Sequence, residues 1–343
     1  MRTISGFKRL LMLAIVTLAM AVGSTYGSDE PLRFATLTSI SKAPPAVVAE
    51  EKKYFDKEGV KVETKLFNSG KSAVQALASG QFDIAMIGDI PALALLGQGY
   101  PGKIIAAGLG GPKRQALLVK TDSSYRSIED LKGKRVGLTK GSTDDIALEA
   151  TFSKNGMTWS DIQVINLRPP AKASALQTGE VDAVEAWEPV PSVIVTKGIG
   201  RRLLTADGDI SDIVGVIIAS DDILRERPED IQKFLRAIHE GARYAQDNAD
   251  EMVELLSEKL RVEKDVLVEA IPTQWWYIDV YSDTVANWKT SVDLLKRLDR
   301  LSKDFDVESV VDVSYLSKAT GLEYPLAKSA PEAMSYPKLS AAR

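Results

Sequence analysis

The sequence predicts an α/β protein made of two similar lobes, with two crossover strands as the hinge between them. Two observations carry that prediction. One stretch of the chain occurs twice, and within each copy short apolar strands alternate with helices.

The repeat is visible as three landmarks in the same order. The segment from Ala76 to Ala85 returns as Ala175 to Val184, with Gly80 and Asp83 in register with Gly179 and Asp182. Upstream, Phe55 to Gly59 corresponds to Phe152 to Gly156, and Arg33 to Thr36 corresponds loosely to Arg135 to Leu138. Matching landmarks at similar separations mark a duplicated unit of strand, helix, strand, helix and strand.

In the first copy, 32–37 is a short apolar strand and 47–55 a helix, with Gly59 as its C-cap. A second strand follows at 60–67, then a helix over 72–78 that stops at Gly80, and a largely apolar strand at 82–87. The second copy places strands at 135–138, 162–167 and 181–186 and helices at 143–153 and 172–177. Such alternation predicts parallel sheets covered on both faces, with ligands outside the carboxyl ends of the strands. The extended apolar runs 115–120 and 213–220 flank the second copy, which makes them the expected crossovers. Helices then follow at 228–246, 249–260, 264–270 and 282–303; the first carries Ile231, Phe234, Leu235, Ile238 and Ala242 on one face. The expected organisation is lobe one at 28–118 and 219–323, with lobe two at 119–218.

The N-terminus has Arg2, Lys8 and Arg9, then an uncharged apolar run from Leu10 to Val22, then small residues at Gly23, Ser24 and Gly27. That order predicts a cleavable export signal over 1–27, because the apolar run is shorter than the roughly 20 residues a membrane span needs. At the other end, 324–343 holds Pro325, Pro331 and Pro337 without helical or strand period, and a loosely ordered tail is expected there. The chain has no cysteine, which excludes disulfides, thiol catalysis and cysteine metal sites. A net charge of −4 gives nucleic acid no electrostatic footprint. Neither a metal-ligand spacing nor a nucleophile–base pair is present, so neither metal nor cofactor is expected.

The repeat also locates the mouth of the cleft. The last strand of each copy runs into an acidic residue followed by proline: Gly88-Asp89-Ile90-Pro91 in one lobe, Trp187-Glu188-Pro189 in the other. Asp89 and Glu188 are therefore equivalent and should approach the cleft from opposite sides. The first-strand loops, Thr38-Ser39-Ile40-Ser41 and Lys140-Gly141-Ser142-Thr143, bring hydroxyls to helix N-termini, where unpaired N–H groups suit an anion. Asp144 and Asp145 in the same first turn compete with such an anion. Arg168, at the end of the second strand of lobe two, is a further candidate, and Trp187 is expected to wall the ligand. Trp275, Trp276 and His239 are expected to be structural.

These segments resemble the nitrate/sulfonate/taurine branch of periplasmic ABC-importer binding proteins, which has the type II periplasmic-binding fold. The resemblance rests on Glu58 to Val62, Ala76 to Pro91, Ser127 to Gly133, Lys140 to Ser142, Asn166 to Pro170, Gly179 to Ala183 and Trp187 to Pro189. It implies a monomeric periplasmic protein that carries a small molecule, an alkanesulfonate or taurine, to the membrane permease of an ABC importer. By resemblance the ligand-facing segments are Ser39 to Ser41, Gly88 to Ile90, Gly141 to Thr143, and Trp187 with Glu188. The alternatives are the same role with nitrate, a thiamine-precursor pyrimidine or an aromatic acid, or an enzyme like the pyrimidine synthase of the same fold. That enzyme resembles a His-rich, cysteine-containing site, whereas this chain has one His and no Cys.

Overall fold

The computed structural model describes residues 30–205, 215–302, 305–329 and 335–340. The expected export signal lies outside them. Along the chain run β1 (Leu32–Leu37), α1 (Ala43–Glu51), α2 (Tyr54–Glu58), β2 (Val62–Phe67), α3 (Gly70–Ala78), β3 (Ile84–Gly88), α4 (Asp89–Gly97) and β4 (Gly102–Gly110). Next come β5 (Gln115–Lys120), β6 (Arg135–Leu138), α5 (Thr143–Lys154), β7 (Gln163–Asn166), α6 (Lys172–Thr178), β8 (Ala183–Trp187), α7 (Val190–Thr196), β9 (Gly200–Thr205) and β10 (Gly215–Ser220). The chain continues through α8 (Asp221–Glu226), α9 (Pro228–Asp247), α10 (Ala249–Leu260), α11 (Lys264–Ala270), β11 (Trp275–Ile278), α12 (Thr284–Arg297) and α13 (Ser314–Thr320).

The strands form two sheets, ordered β11-β4-β10-β3-β1-β2 and β7-β6-β8-β5-β9. The repeat is the skeleton of both. In the first sheet β1 lies between β2 and β3, all parallel, and in the second β6 lies between β7 and β8 in the same way. The expectation of parallel sheets holds for these repeat strands alone, because β10 and β5 run antiparallel to β3 and β8. Those two strands contain the expected crossovers. Each is entered directly from a passage between sheets and is embedded inside its own sheet, so sheet membership changes before Gln115 and before Gly215 rather than at 118 and 218.

The duplicated landmarks have a physical role. Arg33 donates its backbone N–H and Nε to Asp83 Oδ2, at 2.9 and 3.0 Å, and its Nη2 to Oδ1 at 2.5 Å. Arg135 treats Asp182 the same way, at 2.9, 3.0 and 3.0 Å. In each lobe a forked, charge-assisted contact therefore ties the start of the first strand to the start of the third.

Most element boundaries follow the sequence signals, and the departures have local causes. The first helix begins at Ala43 rather than 47, since Pro44 and Pro45 occupy its first turn, where no backbone donor is needed. Lys53, with φ of 56°, breaks it from α2, which Gly59 caps at φ of 68°. The amphipathic face of α9 is buried as its spacing requires, and the helix packs on α1 and α2. Not every later helix stays with the first lobe, for α11 packs on α7.

The described parts of the expected loose tail are docked. Tyr324 is buried and donates to Asp279 Oδ1 at 2.6 Å, and Leu326 N–H donates to the Val280 carbonyl at 2.7 Å. Further along, Gln246 Nε2 donates to the Ser335 carbonyl at 2.7 Å and Tyr336 packs on Trp275. Composition concealed this because the anchors are single aromatic and backbone groups rather than a periodic apolar face.

Candidate functional site

The candidate site is a narrow pocket where the carboxyl ends of the two sheets meet. It is lined by Leu37, Ser39, Ser41, Lys42, Gly70, Lys71, Gly88, Pro91 and Arg114, and across from them by Ser142, Thr143 and Trp187. A second hollow, between α5 and β5, draws its described lining from the second sheet and its helix alone, whereas this one draws on both lobes. The lobes approach closely at the rim: a Cβ built on Gly88 would lie 3.4 Å from Thr143 Cγ2.

Six of the expected residues line the pocket, namely Ser39, Ser41, Gly88, Ser142, Thr143 and Trp187. Ile40 instead is fully buried, and its carbonyl accepts Trp276 Nε1 at 2.9 Å. The expected structural role of Trp276 is thus to fix the Ser39–Ser41 loop, whose hydroxyls lie 3.3 Å apart. Ile90 belongs to the core, and Arg168 is exposed at the start of a short turn outside the pocket lining.

The two equivalent acids do not line the pocket. Glu188 pairs with Arg202 at 2.9 Å and accepts Ser192 N–H at 3.2 Å, capping α7. Burial pushes its pKa up, opposed by Arg202. Asp89 accepts its neighbour Ile90 N–H at 2.8 Å and contacts Ser291. Burial raises its pKa to about 6, while the Ile90 hydrogen bond, Arg114 and Lys42 pull the other way.

The chain's own carboxylates already take N–H groups of the loop that leads into α5. Thr139 N–H donates to Asp144 at 2.7 Å, Gly141 N–H to Asp145 at 2.5 Å, and Asp144 N–H to Ser142 Oγ at 3.2 Å. The loop leading into the helix is therefore held by the chain's own carboxylates, and Ser142 caps one N–H of the first turn.

Basic groups come instead from three side chains that the sequence reading missed. Lys42 is buried at the mouth of β1, its Nζ donating to the Leu109 carbonyl, and Leu109 holds a left-handed φ of 61° at the end of β4. Burial drives the Lys42 pKa well below its ordinary value; Arg114 lowers it further and Asp89 opposes this. Arg114, also buried, lies on the passage from β4 to β5, and Lys71 stands exposed at the start of α3. No carboxylate lines the pocket among the described residues. Such a lining attracts an anion of small size, presents hydroxyls to its oxygens, and offers an aromatic face to any apolar remainder.

The fold and this pocket define a class: two α/β lobes of the periplasmic-binding-protein type, with a cleft between them. The chain belongs to the NMT1/THI5-like family, whose profile matches residues 41–252. It is 27% identical, over 90% of its length and 96% of the relative's, to a Bacillus subtilis (strain 168) protein named as an aliphatic sulfonates-binding protein. It is 31% identical to the taurine-binding periplasmic protein of Escherichia coli (strain K12), over 59% of this chain and 63% of that one. Among solved structures, the alkanesulfonate-binding protein SsuA from Xanthomonas axonopodis pv. citri, bound to MOPS, shares the fold with a TM-score of 0.75. That match is 22% identical and covers 84% of this chain and 99% of the other.

Proposed function

We propose that this protein is a periplasmic solute-binding protein that captures an organosulfonate and delivers it to the membrane permease of an ABC importer. The observation that carries the reading is the pocket itself, with Lys42, Lys71 and Arg114 facing hydroxyls and a tryptophan across the two lobes. A sulfonate presents three acceptor oxygens to those donors and an apolar chain to the Trp187 ring. The naming of the relatives supports the same ligand class.

Within that class, the geometry favours a plain alkanesulfonate over taurine. An ammonium would gain most from a carboxylate in the pocket lining, and Asp89 and Glu188 are both engaged elsewhere. The binding role also agrees with the surroundings of the one histidine: His239 is 3.6 Å from Asp279, among groups that hold the C-terminal segment.

A thermal-shift panel tests the reading. Ethanesulfonate, taurine, nitrate, a hydroxymethylpyrimidine and phthalate are compared, since a ligand at about 100 times its Kd adds about 2.7 kcal/mol of stability. Ethanesulfonate should give the largest shift. A shift confined to the pyrimidine or to phthalate would overturn the assignment.

A further inference from the structure

Behind the Trp187 wall lies a cluster that the ligand contacts do not require. Lys172 and Asp144 form an ion pair of 2.5 Å in which both side chains are at most 1% exposed. Taking two charges out of water costs several kcal/mol per ion, so such a pair is weak evidence for a gain in stability. Its connections point to another use. Lys172 Nζ stands 4.7 Å from the centroid of the Trp187 ring, over the face. Asp144 accepts from Thr139 N–H at 2.7 Å, and so anchors the turn that carries Ser142 and Thr143 into the pocket. Its other oxygen accepts Gln115 Nε2 at 3.2 Å, and Gln115 is the residue paired with Trp187 across β5 and β8.

Three pocket-lining residues of lobe two thus refer back to one buried pair. We propose that Lys172 is a positioning residue for the lobe-two wall of the cleft: through the Trp187 face and through Asp144 it fixes the ring and the Ser142–Thr143 turn in one arrangement. This rests on the ligand-binding reading above. The cation attracts the ring face electrostatically, and the attraction is strongest where water is excluded. A fixed ring and turn lose little freedom when a ligand arrives, which is how preorganisation raises affinity.

Removing Lys172 alone would strand Asp144, so the decisive variant is the double substitution Lys172→Met with Asp144→Asn, which keeps shape and one acceptor oxygen. The Trp187 contribution to near-ultraviolet circular dichroism is obtained as wild type minus Trp187→Phe, with the same difference taken in the double-variant background. Expected is a folded variant whose Trp187 band is lost or strongly reduced, and whose affinity for ethanesulfonate falls about 10-fold. A Trp187 band of unchanged sign and intensity would overturn the proposal. So would a reduced band with unchanged ethanesulfonate affinity. Should ethanesulfonate fail to bind the wild type, the functional reading falls, while the spectrum still decides whether Lys172 fixes the ring.

Discussion

Lys42 rests directly against Gly215: a Cβ built on that glycine would lie 2.6 Å from both Cε and Nζ of the lysine. Gly215 pairs with Gly88 in the first sheet as Gln115 pairs with Trp187 in the second, so the two positions are counterparts. One lobe uses the place to make room for a buried lysine. The other fills it with an amide that holds Asp144.

Gly215→Ala should therefore push Lys42 off the Leu109 carbonyl. Ethanesulfonate affinity, followed by calorimetry, is expected to fall by about 10-fold or more, with a cost in stability of about 1–3 kcal/mol from overpacking. Normal affinity would show that Lys42 does not shape the pocket.

Trp187→Ala should weaken ethanesulfonate binding by about 1–3 kcal/mol, the worth of burying a large aromatic group against an apolar chain. The fold should survive, because the ring lines a pocket rather than the centre of a lobe. A variant that binds normally but melts early would assign the ring to packing alone.

Asp89 gives the stability a pH dependence of known sign. Burial raises its folded pKa to about 6 from 3.8, so the native state keeps a proton that the unfolded chain has lost. Its contribution is fully present below pH 3.8 and disappears as the pH rises through about 6. Asp89→Asn should flatten the stability curve between pH 4 and 6, by up to about 3 kcal/mol. Urea unfolding at pH 4, 5, 6 and 7 would reveal this, and identical slopes in wild type and variant would refute it.

Ending the chain after Glu323 removes Tyr324, Leu326 and the Ser335–Tyr336 contacts together. A loss of several kcal/mol is expected, with Tyr324→Phe alone costing about 1–3 kcal/mol because the Asp279 carboxylate loses a buried donor. Unchanged melting of the shortened protein would mean that these contacts carry no stability.

The two-lobe fold was legible because duplication repeats a whole pattern, and the Arg33–Asp83 and Arg135–Asp182 forks show why those letters recur. The hydroxyl-bearing loops were legible for the same reason. The cations were not, and each was missed at an element's edge. Lys42 lies between the expected first-strand loop, which ends at Ser41, and the helix expected from 47; Lys71 just precedes the helix expected from 72, and Arg114 the strand expected from 115. Asp89 and Glu188 misled in the opposite sense. Equivalent placement fixes where a residue's backbone lies, whereas its side chain turns to whichever partner is near, here a helix N–H or Arg202.

The uneven sharing of charge around the pocket has a kinetic meaning on the proposed reading. Lys42 and Lys71 belong to lobe one and Arg114 to the passage out of it, while the lining that lobe two supplies is hydroxyl and aromatic. An arriving anion is drawn to one bank of the cleft before the other bank touches it. Encounter is then steered by a field that salt screens within about 10 Å, whereas departure waits on parting the aromatic bank from its guest. Raising ionic strength should slow arrival far more than it hastens escape, so the two rate constants report on different halves of the molecule.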